Sequence, residues 1–279
     1  MTLTAVQAGA YLHHVALESS NPQRLATFYA DAMDMDLHQI SNQEWRCEGP
    51  GRRTVVVPGE DKKLAYAGLG CRTADGLAMM RARVEAEGLP IHASPSPYFK
   101  DGAFAVQDQN DNLICFGVAD HPPTNRRGIP GPTQHLTFSS KDVSAFVDFY
   151  CGKLGFQLTD RVLHDNGDLA TAFTTSNHEH HTIACFKKDH DGIDHHSYEA
   201  GDWIYIRDWC DHLAERDIQL MWGPGRHGPG NNLFIFIEDP DGNWIEISAE
   251  LEVIYDRVTV DWPQDPRTLN KWGRAIMRS

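Results

Sequence analysis

The stretch Asn231–Glu250, NNLFIFIEDPDGNWIEISAE, predicts two short strands joined by a tight turn. Residues 233–237 form an apolar run rich in branched and aromatic side chains, which is typical of a strand. Residues 239–242 read Asp-Pro-Asp-Gly, in which proline presets one backbone angle and glycine accepts another. A second strand resumes over residues 244–247, so the stretch predicts a β-hairpin.

Glu246 is the unusual residue of this hairpin. Alternation along a strand places it on the face opposite Ile245 and Ile247. A carboxylate buried without a partner in so apolar a strand is costly. Glu246 therefore faces either water or a positive group inside the protein, and the apolar character of the neighbouring run favours the second alternative.

Bulk composition narrows the classes of protein to consider. The chain has 279 residues, 41% of them hydrophobic, and a formal net charge of −14. It shows neither a basic footprint for nucleic acid or anionic membranes nor a run of membrane-spanning length. The N-terminal residues lack the pattern of a signal peptide, and the six cysteines form no C-x-x-C pair. We expect a cytoplasmic protein with free thiols that binds neither nucleic acid nor membrane.

An internal repeat sets the architecture. Residues 12–37 and 134–158 share a strand, a helix and a second strand, and His14 aligns with His135 at an offset of 121 positions. The later halves of the two copies also match: helical residues 74–89 resemble residues 203–218, and residues 104–116 resemble 235–247.

Each copy contains two units of strand, helix and further strands, and this pattern predicts an α+β fold of four βαβββ modules. The modules lie near residues 10–60, 61–120, 133–190 and 193–250. We expect an N-terminal domain over residues 1–120, a Pro- and Gly-rich linker over 121–132, a C-terminal domain over 133–250 and a tail over 251–279. Residues around Trp272 are predicted to form a short helix.

Three candidate metal ligands emerge in the second copy: His135, His196 and Glu246. Their counterparts in the first copy are His14, a position near Ala67, and Cys115. Residues needed only for the fold would more often occur in both copies, so an incomplete first set indicates a function confined to the second. Two histidines and one carboxylate form the facial triad of non-haem Fe(II) oxygenases, which leaves positions open for a chelating catechol and for dioxygen.

Five stretches in the chain resemble the type I extradiol ring-cleavage dioxygenases of the vicinal oxygen chelate superfamily, a glyoxalase-like fold. They are residues 133–138 (TQHLTF), 180–184 (HHTIA), 194–199 (DHHSYE), 223–230 (GPGRHGPG) and 239–246 (DPDGNWIE). The resemblance implies a metal-free N-terminal domain and a catalytic C-terminal domain. It also implies meta cleavage of a catecholic ring to a semialdehyde, with both atoms of dioxygen inserted, in the breakdown of aromatic compounds.

The same resemblance implies roles for single residues. His135, His196 and Glu246 would ligate Fe(II), although ligand type alone leaves Mn(II) open. His181 would be the acid–base histidine beside dioxygen, and His227 would hydrogen-bond a substrate or peroxo oxygen.

The chain departs from the family at one position. The family often has a tyrosine nine residues after the equivalent of His227, where this chain has Phe236. The candidates to replace its hydroxyl are Tyr198, Tyr205 and Tyr255.

Other histidines receive simpler interpretations. His195 and His196 point in opposite directions on one strand, and because the family pattern selects His196 we expect His195 to be structural. His178, His180 and His190 are expected to be solvated.

Two other functions remain open: a metal-dependent isomerase, epimerase or lyase on the same scaffold, and a non-catalytic protein that binds small molecules. Dependence on oxygen would separate the dioxygenase from the isomerase or lyase, and the complete triad argues against the binding protein. The expected partners are a small aromatic diol and further copies of the chain in a homo-oligomer.

Overall fold

The computed structural model describes residues 2–120 and 128–277. Residues 121–127, the first part of the predicted linker, lie outside the described residues. The N-terminal half comprises α1 (Thr4–Gln7), β1 (Tyr11–Ser19), α2 (Pro22–Ala32), β2 (Asp36–Ser41), β3 (Glu44–Gly49), β4 (Arg52–Pro58), β5 (Lys63–Gly70), α3 (Ala74–Ala86), β6 (His92–Ala93), β7 (Phe104–Gln107) and β8 (Leu113–Gly117).

The C-terminal half repeats this order from β1 onwards and adds two elements at its end. It comprises β9 (Thr133–Ser140), α4 (Val143–Val147) with a π-helical continuation (Asp148–Lys153), β10 (Gln157–Leu163), β11 (Leu169–Thr175), β12 (Ile183–Lys187), β13 (Gly192–Glu199), α5 (Trp203–Ala214), β14 (Trp222–Arg226), β15 (Leu233–Glu238), β16 (Trp244–Ala249), β17 (Val260–Pro263) and α6 (Pro266–Leu269).

The strands form one mixed sheet in each half. The first sheet has the order β2-β3-β4-β1-β5-β8-β7-β6, and the second β14-β15-β16-β13-β9-β12-β11-β10-β17. Each sheet therefore joins two βαβββ modules edge to edge, through antiparallel pairing of β1 with β5 and of β9 with β13. The predicted fold of paired βαβββ modules is confirmed.

Local signals explain where the helices begin. Asn21 caps α2 by accepting a hydrogen bond from the amide of Arg24, and Pro22 occupies the first turn. Asp202 caps α5 in the same way through the amides of residues 204 and 205. The buried faces of these helices join one hydrophobic core that runs through both halves.

Two tyrosine–aspartate hydrogen bonds join the halves. The Tyr29 hydroxyl, on α2, donates to Asp239 Oδ2 at 3.1 Å, and the Tyr150 hydroxyl donates to Asp108 Oδ2 at 3.1 Å. Both tyrosines occupy the same place in the repeat, and both aspartates also close a turn by accepting from backbone amides. The interface therefore has an approximate two-fold symmetry, with each half supplying one donor and one acceptor.

The C-terminal tail adds a strand and a short helix to the C-terminal half. Strand β17 pairs in parallel with β10 and extends the C-terminal sheet. The helix expected near Trp272 is not present; the tail helix is α6, which Asp265 caps through the amide of Arg267. Pro266 in its first turn suits the start of a helix at this point.

Two further features are consistent with the sequence. All six cysteines are free thiols. Among residues 2–120 and 128–277, no helix has both the length and the apolar character needed to cross a membrane.

Candidate metal centre

Strand register brings three side chains together in the C-terminal sheet. On β13, His195 pairs with Thr137 of β9, and Thr137 lies two residues from His135 and on the same face. On β16, Glu246 pairs with Ser197, which shares the face of His195. Nitrogen and oxygen atoms of His135, His195 and Glu246 all lie within 4.8 Å of one another.

Glu246 is the centre of this group. Its side chain is almost fully buried, and its Oε2 lies 3.0 Å from His135 Nε2 and 3.3 Å from His195 Nε2. Its Oε1 accepts from Asn232 Nδ2 at 3.1 Å and lies 3.5 Å from His227 Nε2. Burial alone would raise the pKa of Glu246, but its close contacts with His135, His195 and His227 hold that pKa well below its usual value. Glu246 is therefore a carboxylate in the folded protein.

The outward nitrogen of His135 has a fixed acceptor. His135 Nδ1 lies 3.2 Å from Gln134 Oε1. The amide nitrogen of Gln134 contacts the carboxylates of Glu199 and Glu179, so its oxygen must face His135. His135 therefore carries its proton on Nδ1 and presents a lone pair at Nε2.

His195 has the same arrangement. Its Nδ1 donates to Asp194 Oδ1 at 2.6 Å, and Asp194 Oδ2 in turn meets Lys188 Nζ at 2.8 Å. A carboxylate can only accept here, so the proton of His195 lies on Nδ1 and its Nε2 also presents a lone pair. Oxygen acceptors behind metal-ligating histidines orient the rings in this way in metal sites generally.

Two imidazole lone pairs thus face a buried carboxylate, an arrangement that is repulsive unless a cation lies between them. Burial lowers the pKa of His135, which disfavours protonation of that ring as the source of positive charge. The donor set of two nitrogens and one carboxylate oxygen suits a divalent transition metal. The residues present therefore fit the metal that the sequence analysis expected.

The prediction of His196 as the second histidine is wrong in geometry, and His195 takes its place. His196 pairs with Leu136 of the core, on the opposite face of β13. Its Nε2 lies 3.2 Å from the Tyr29 hydroxyl at the contact between the halves. Burial lowers the pKa of His196 to about 3, so it is neutral. The choice between adjacent histidines depends on strand register, which the family pattern did not resolve.

His181 and His227 lie beside the three central residues. The His181 ring centroid lies 4.2 Å from that of His135. His227 stacks on Phe234 at 3.9 Å, and its Nδ1 lies 2.5 Å from the carbonyl oxygen of Leu269. A carbonyl only accepts, so His227 is protonated on Nδ1 and its Nε2 lone pair points towards Glu246. Both predicted residues are therefore in the site, and their chemical roles remain proposals.

A cavity opens over these histidines. It encloses about 470 Å³ including its mouth. Apart from the histidines and Glu246, its walls are largely apolar: Val162, Phe173, Phe186, Trp222, Pro229 and Leu269, with Thr137, Asn232 and Thr268. Leu269 and Thr268 come from the tail. The cavity has the mixed lining typical of a small-molecule site.

No tyrosine is among the described residues that line this cavity. Phe236 is fully buried beside the site, with its ring centroid 5.4 Å from that of His195. Tyr198 bonds Thr54 between the halves, whereas Tyr205 and Tyr255 are exposed. None of the three suggested tyrosines therefore replaces the family hydroxyl from within the cavity.

Several residues around the site were missed from the sequence. His180 was expected to be solvated but is fully buried, with its Nδ1 3.0 Å from His181 Nδ1. His178 and His190 are exposed, as expected. Gln134 and Asp194 each directly precede a central histidine, and that adjacency is the sequence signal that identifies them as orienting groups.

Comparisons with known proteins agree with this geometry. Residues 133–247 match the family model described as the Glyoxalase/Bleomycin resistance protein/Dioxygenase superfamily. Metapyrocatechase 2 of Cupriavidus necator is 26% identical over 247 residues, which cover 78% of this chain and 74% of that protein. A manganese-dependent 2,3-dihydroxybiphenyl 1,2-dioxygenase of Geobacillus genomosp. 3 is 25% identical over 48% of this chain and 43% of that protein.

Solved structures extend the likeness to nearly the whole chain. The anaerobic substrate complex of homoprotocatechuate 2,3-dioxygenase from Brevibacterium fuscum superimposes with a TM-score of 0.82 at 19% identity, over 96% of this chain and 90% of that one. The homoprotocatechuate 2,3-dioxygenase of Arthrobacter globiformis gives the same TM-score at 18% identity, over 96% and 88%. The C-terminal half matches the model of the Glyoxalase/Bleomycin resistance protein/Dioxygenase superfamily, and the chain as a whole has the fold of these extradiol dioxygenase structures.

Proposed function

We propose that this protein is an extradiol dioxygenase that cleaves a catecholic ring beside its hydroxyl groups and adds both atoms of O2. The observation that carries the proposal is the convergence of His135 Nε2, His195 Nε2 and Glu246 Oε2 at the floor of an apolar cavity. The relatives named above include enzymes whose names specify this reaction class. The overall change is diol plus O2 to a ring-opened semialdehyde acid, so no other oxidant is needed.

His135, His195 and Glu246 would hold the metal, which we propose is Fe(II), with Mn(II) as the alternative. When bound there, the metal would supply Lewis acidity towards the diol and a route for electrons from the diol to dioxygen. Glu246 offsets part of the metal's charge, and Asp194 and Gln134 keep the two imidazoles aimed at one point. The protein thereby holds one face of the metal and leaves the cavity side for substrates.

The histidines above the metal-binding residues would handle protons. Burial, together with the nearby His135 and His180, lowers the pKa of His181 well below its usual value, so His181 is neutral before substrate binds. A neutral imidazole accepts a hydroxyl proton and can return it later to a leaving oxygen. His227 presents a lone pair at Nε2 and would accept a hydrogen bond from a substrate hydroxyl.

The cavity walls favour an uncharged ring. Phe173, Phe186 and Trp222 offer aromatic surfaces for stacking, and no lysine or arginine is among the described residues that line the cavity. A carboxylate on the substrate would be buried there without a cationic partner, at a cost of several kcal/mol. We therefore propose uncharged mono- or bicyclic catechols as substrates, in a cytoplasmic pathway that breaks down aromatic compounds.

The test is oxygen uptake after anaerobic loading with Fe(II) or Mn(II). A panel should pair alkyl- and aryl-substituted catechols with diols that carry a carboxylate. We expect one O2 consumed per yellow ring-opened product, with a higher kcat/KM for the uncharged diols. Turnover of a substrate without oxygen consumption would instead indicate an isomerase or lyase on this scaffold.

A further inference from the structure

The two carboxylate oxygens of Glu246 lie in different surroundings. Its Oε2 faces His135 and His195, whereas its Oε1 accepts a hydrogen bond from the side-chain amide of Asn232 at 3.1 Å. The other contact of Oε1, with His227 Nε2, is longer, at 3.5 Å. The Glu246 side chain is 2% exposed and Asn232 is 1% exposed, so bulk water is excluded from the contact between them.

The orientation of the Asn232 amide follows from what its neighbours can accept. A carboxylate oxygen accepts only, so the amide nitrogen faces Glu246. The second hydrogen of this nitrogen goes to Ser248 Oγ at 2.9 Å. In this orientation Asn232 Oδ1 is buried without a hydrogen-bond partner among the described residues, which is a costly arrangement. Turning the amide round would place that oxygen against Glu246, so Asn232 keeps its nitrogen on the carboxylate although its own oxygen stays unpaired.

The N-terminal half lacks the groups that receive these two hydrogen bonds. Strands β15 and β16 correspond to β7 and β8, and the register of the two pairs makes Cys115 the counterpart of Glu246 and Gly117 the counterpart of Ser248. A cysteine and a glycine provide neither a carboxylate nor a hydroxyl. A hydrogen-bond pattern needed only to pack the two strands would be expected in both halves, so this one accompanies the candidate metal centre.

We infer that Asn232 is a positioning residue that holds Glu246 with a single oxygen, Oε2, directed at the metal. To turn Oε1 towards His135 and His195 as well, the carboxylate would have to break its buried hydrogen bond to Asn232. Resting on the proposed function, this prevents Glu246 from binding through both oxygens and taking a position that the diol or dioxygen needs. Asn232 thereby keeps the cavity side of the metal open without binding the metal itself.

Metal affinity tests this role without any substrate. Asn232→Leu replaces the amide with an apolar side chain of similar size and leaves Glu246 Oε1 without its donor. We expect the Kd for Mn(II), measured by competition with a chelator, to rise roughly 10- to 100-fold, as is usual when a hydrogen bond behind a metal ligand is lost. An unchanged Kd in the folded variant would overturn the inference.

The matched control is Asn243→Leu, in the same hairpin. Asn243 is also buried, its Nδ2 also donates to a carboxylate, Asp239 Oδ2, at 2.9 Å, and its Oδ1 is also unpaired among the residues that the structure describes. Because Asp239 is not a metal ligand, we expect the Kd for Mn(II) to stay within about threefold of the wild-type value. An equal rise of Kd in both variants would show that Asn232 has only a structural role.

A crystal structure of Mn(II)-loaded wild type tests the same inference even if Asn232→Leu fails to fold. We expect one oxygen of Glu246 on the metal and the other still hydrogen-bonded to Asn232. Both oxygens of Glu246 on the metal, or an Asn232 amide turned away from Glu246, would overturn the inference.

These outcomes are separable from those of the proposed function. A wild type that binds the metal through one oxygen of Glu246 but consumes no O2 with any diol would refute the dioxygenase assignment and leave the role of Asn232 standing. An active wild type in which both oxygens of Glu246 bind the metal would refute the role of Asn232 and leave the dioxygenase assignment standing.

Discussion

The two halves of the chain place a histidine at the same point of equivalent sheets, and the cavity described above lies over the C-terminal one, His135. In the N-terminal half, His14 contacts His13 and Ser96 and is enclosed by the rings of Tyr66 and Tyr98. Strand register makes Tyr66 the counterpart of His195 and Cys115 the counterpart of Glu246. An aromatic ring and a thiol take the positions that His195 and Glu246 occupy in the other half.

One small residue helps to decide where each imidazole points. Gly68 pairs with His14, and a Cβ atom at that position would lie 2.0 Å from His14 Cε1. The corresponding residue in the C-terminal half is Ser197, whose Cβ excludes the ring from that space. His14 therefore lies over its sheet, whereas His135 is directed towards Glu246. The two halves keep a histidine at equivalent positions, and the neighbouring side chains determine the direction in which each ring points.

The largest effect is expected when His195, the second histidine of the C-terminal site, is removed. His195→Ala should lose bound metal and at least roughly 1,000-fold in kcat/KM, because metal polarisation supplies several kcal/mol to the transition state. The matched variant is His196→Ala, which gives the adjacent position its N-terminal counterpart, Ala67. We expect it to keep one metal per chain and kcat within about threefold. Equal losses in the two variants, by metal analysis and oxygen uptake, would contradict the assignment of His195.

A second prediction concerns the carboxyl groups behind His135, which are linked to it through Gln134. Burial, with the charge of Glu179 adding to it, raises the pKa of Glu199 to about 7. A carboxyl whose folded-state pKa exceeds its unfolded value stabilises the fold below about pH 4.5, and that stability is lost as the pH rises through 7. Glu199→Gln should therefore raise the free energy of unfolding by up to about 3 kcal/mol at pH 8.

The check is urea denaturation of wild type and Glu199→Gln at pH 5 and pH 8. The gain should be largest at pH 8 and below about 1 kcal/mol at pH 5, where Glu199 is still protonated in the folded protein. The same gain at both pH values would show that Glu199 is not held protonated by its surroundings.

Gly68 offers a test of the packing argument. Gly68→Ala places a methyl group against the His14 ring, and forcing an extra methyl into a filled core costs about 2 kcal/mol. Gly152→Ala is a suitable control because nothing lies within 4 Å of a Cβ atom there. Denaturation curves should show the loss at Gly68 only, with metal content unchanged in both variants. An unaffected Gly68→Ala protein would mean that the glycine does not determine the position of His14.

The smallest effect on the free energy of unfolding is expected at the contact between the two halves. Tyr150→Phe removes one hydrogen bond to Asp108 and should cost about 1 kcal/mol. Tyr29→Phe removes the bond to Asp239 and also leaves His196 Nε2 without its partner, so it should cost more. Equal costs by urea denaturation would show that His196 adds nothing to this contact.

Much of the fold could be predicted because the repeat is visible in the sequence. Residues that must pack in both copies, such as Phe28-Tyr29 and Phe149-Tyr150, recur at one spacing and fix the modules. The hairpin around Glu246 was equally clear, since its turn residues and its apolar strands are local signals. The hairpin signals are local, and the repeat can be found by comparing the two halves of one sequence.

The choice of His196 in place of His195 shows the limit of prediction from the sequence alone. His195 and His196 are adjacent and chemically identical, and only the pairing of His195 with Thr137 decides which one faces the cavity. The contact between His227 and the carbonyl of Leu269 depends on a tail that folds back onto the sheet over a long sequence separation. Contacts of this kind arise from tertiary structure and leave no local pattern.

The most direct test of the account is crystallography on protein loaded with Mn(II), using anomalous scattering to locate the metal. The account predicts one peak per chain, within about 2.0–2.2 Å of His135 Nε2, His195 Nε2 and a Glu246 carboxylate oxygen. A peak bound by His196, a peak at the exposed His178 or His190, or no peak between the three predicted residues would contradict it.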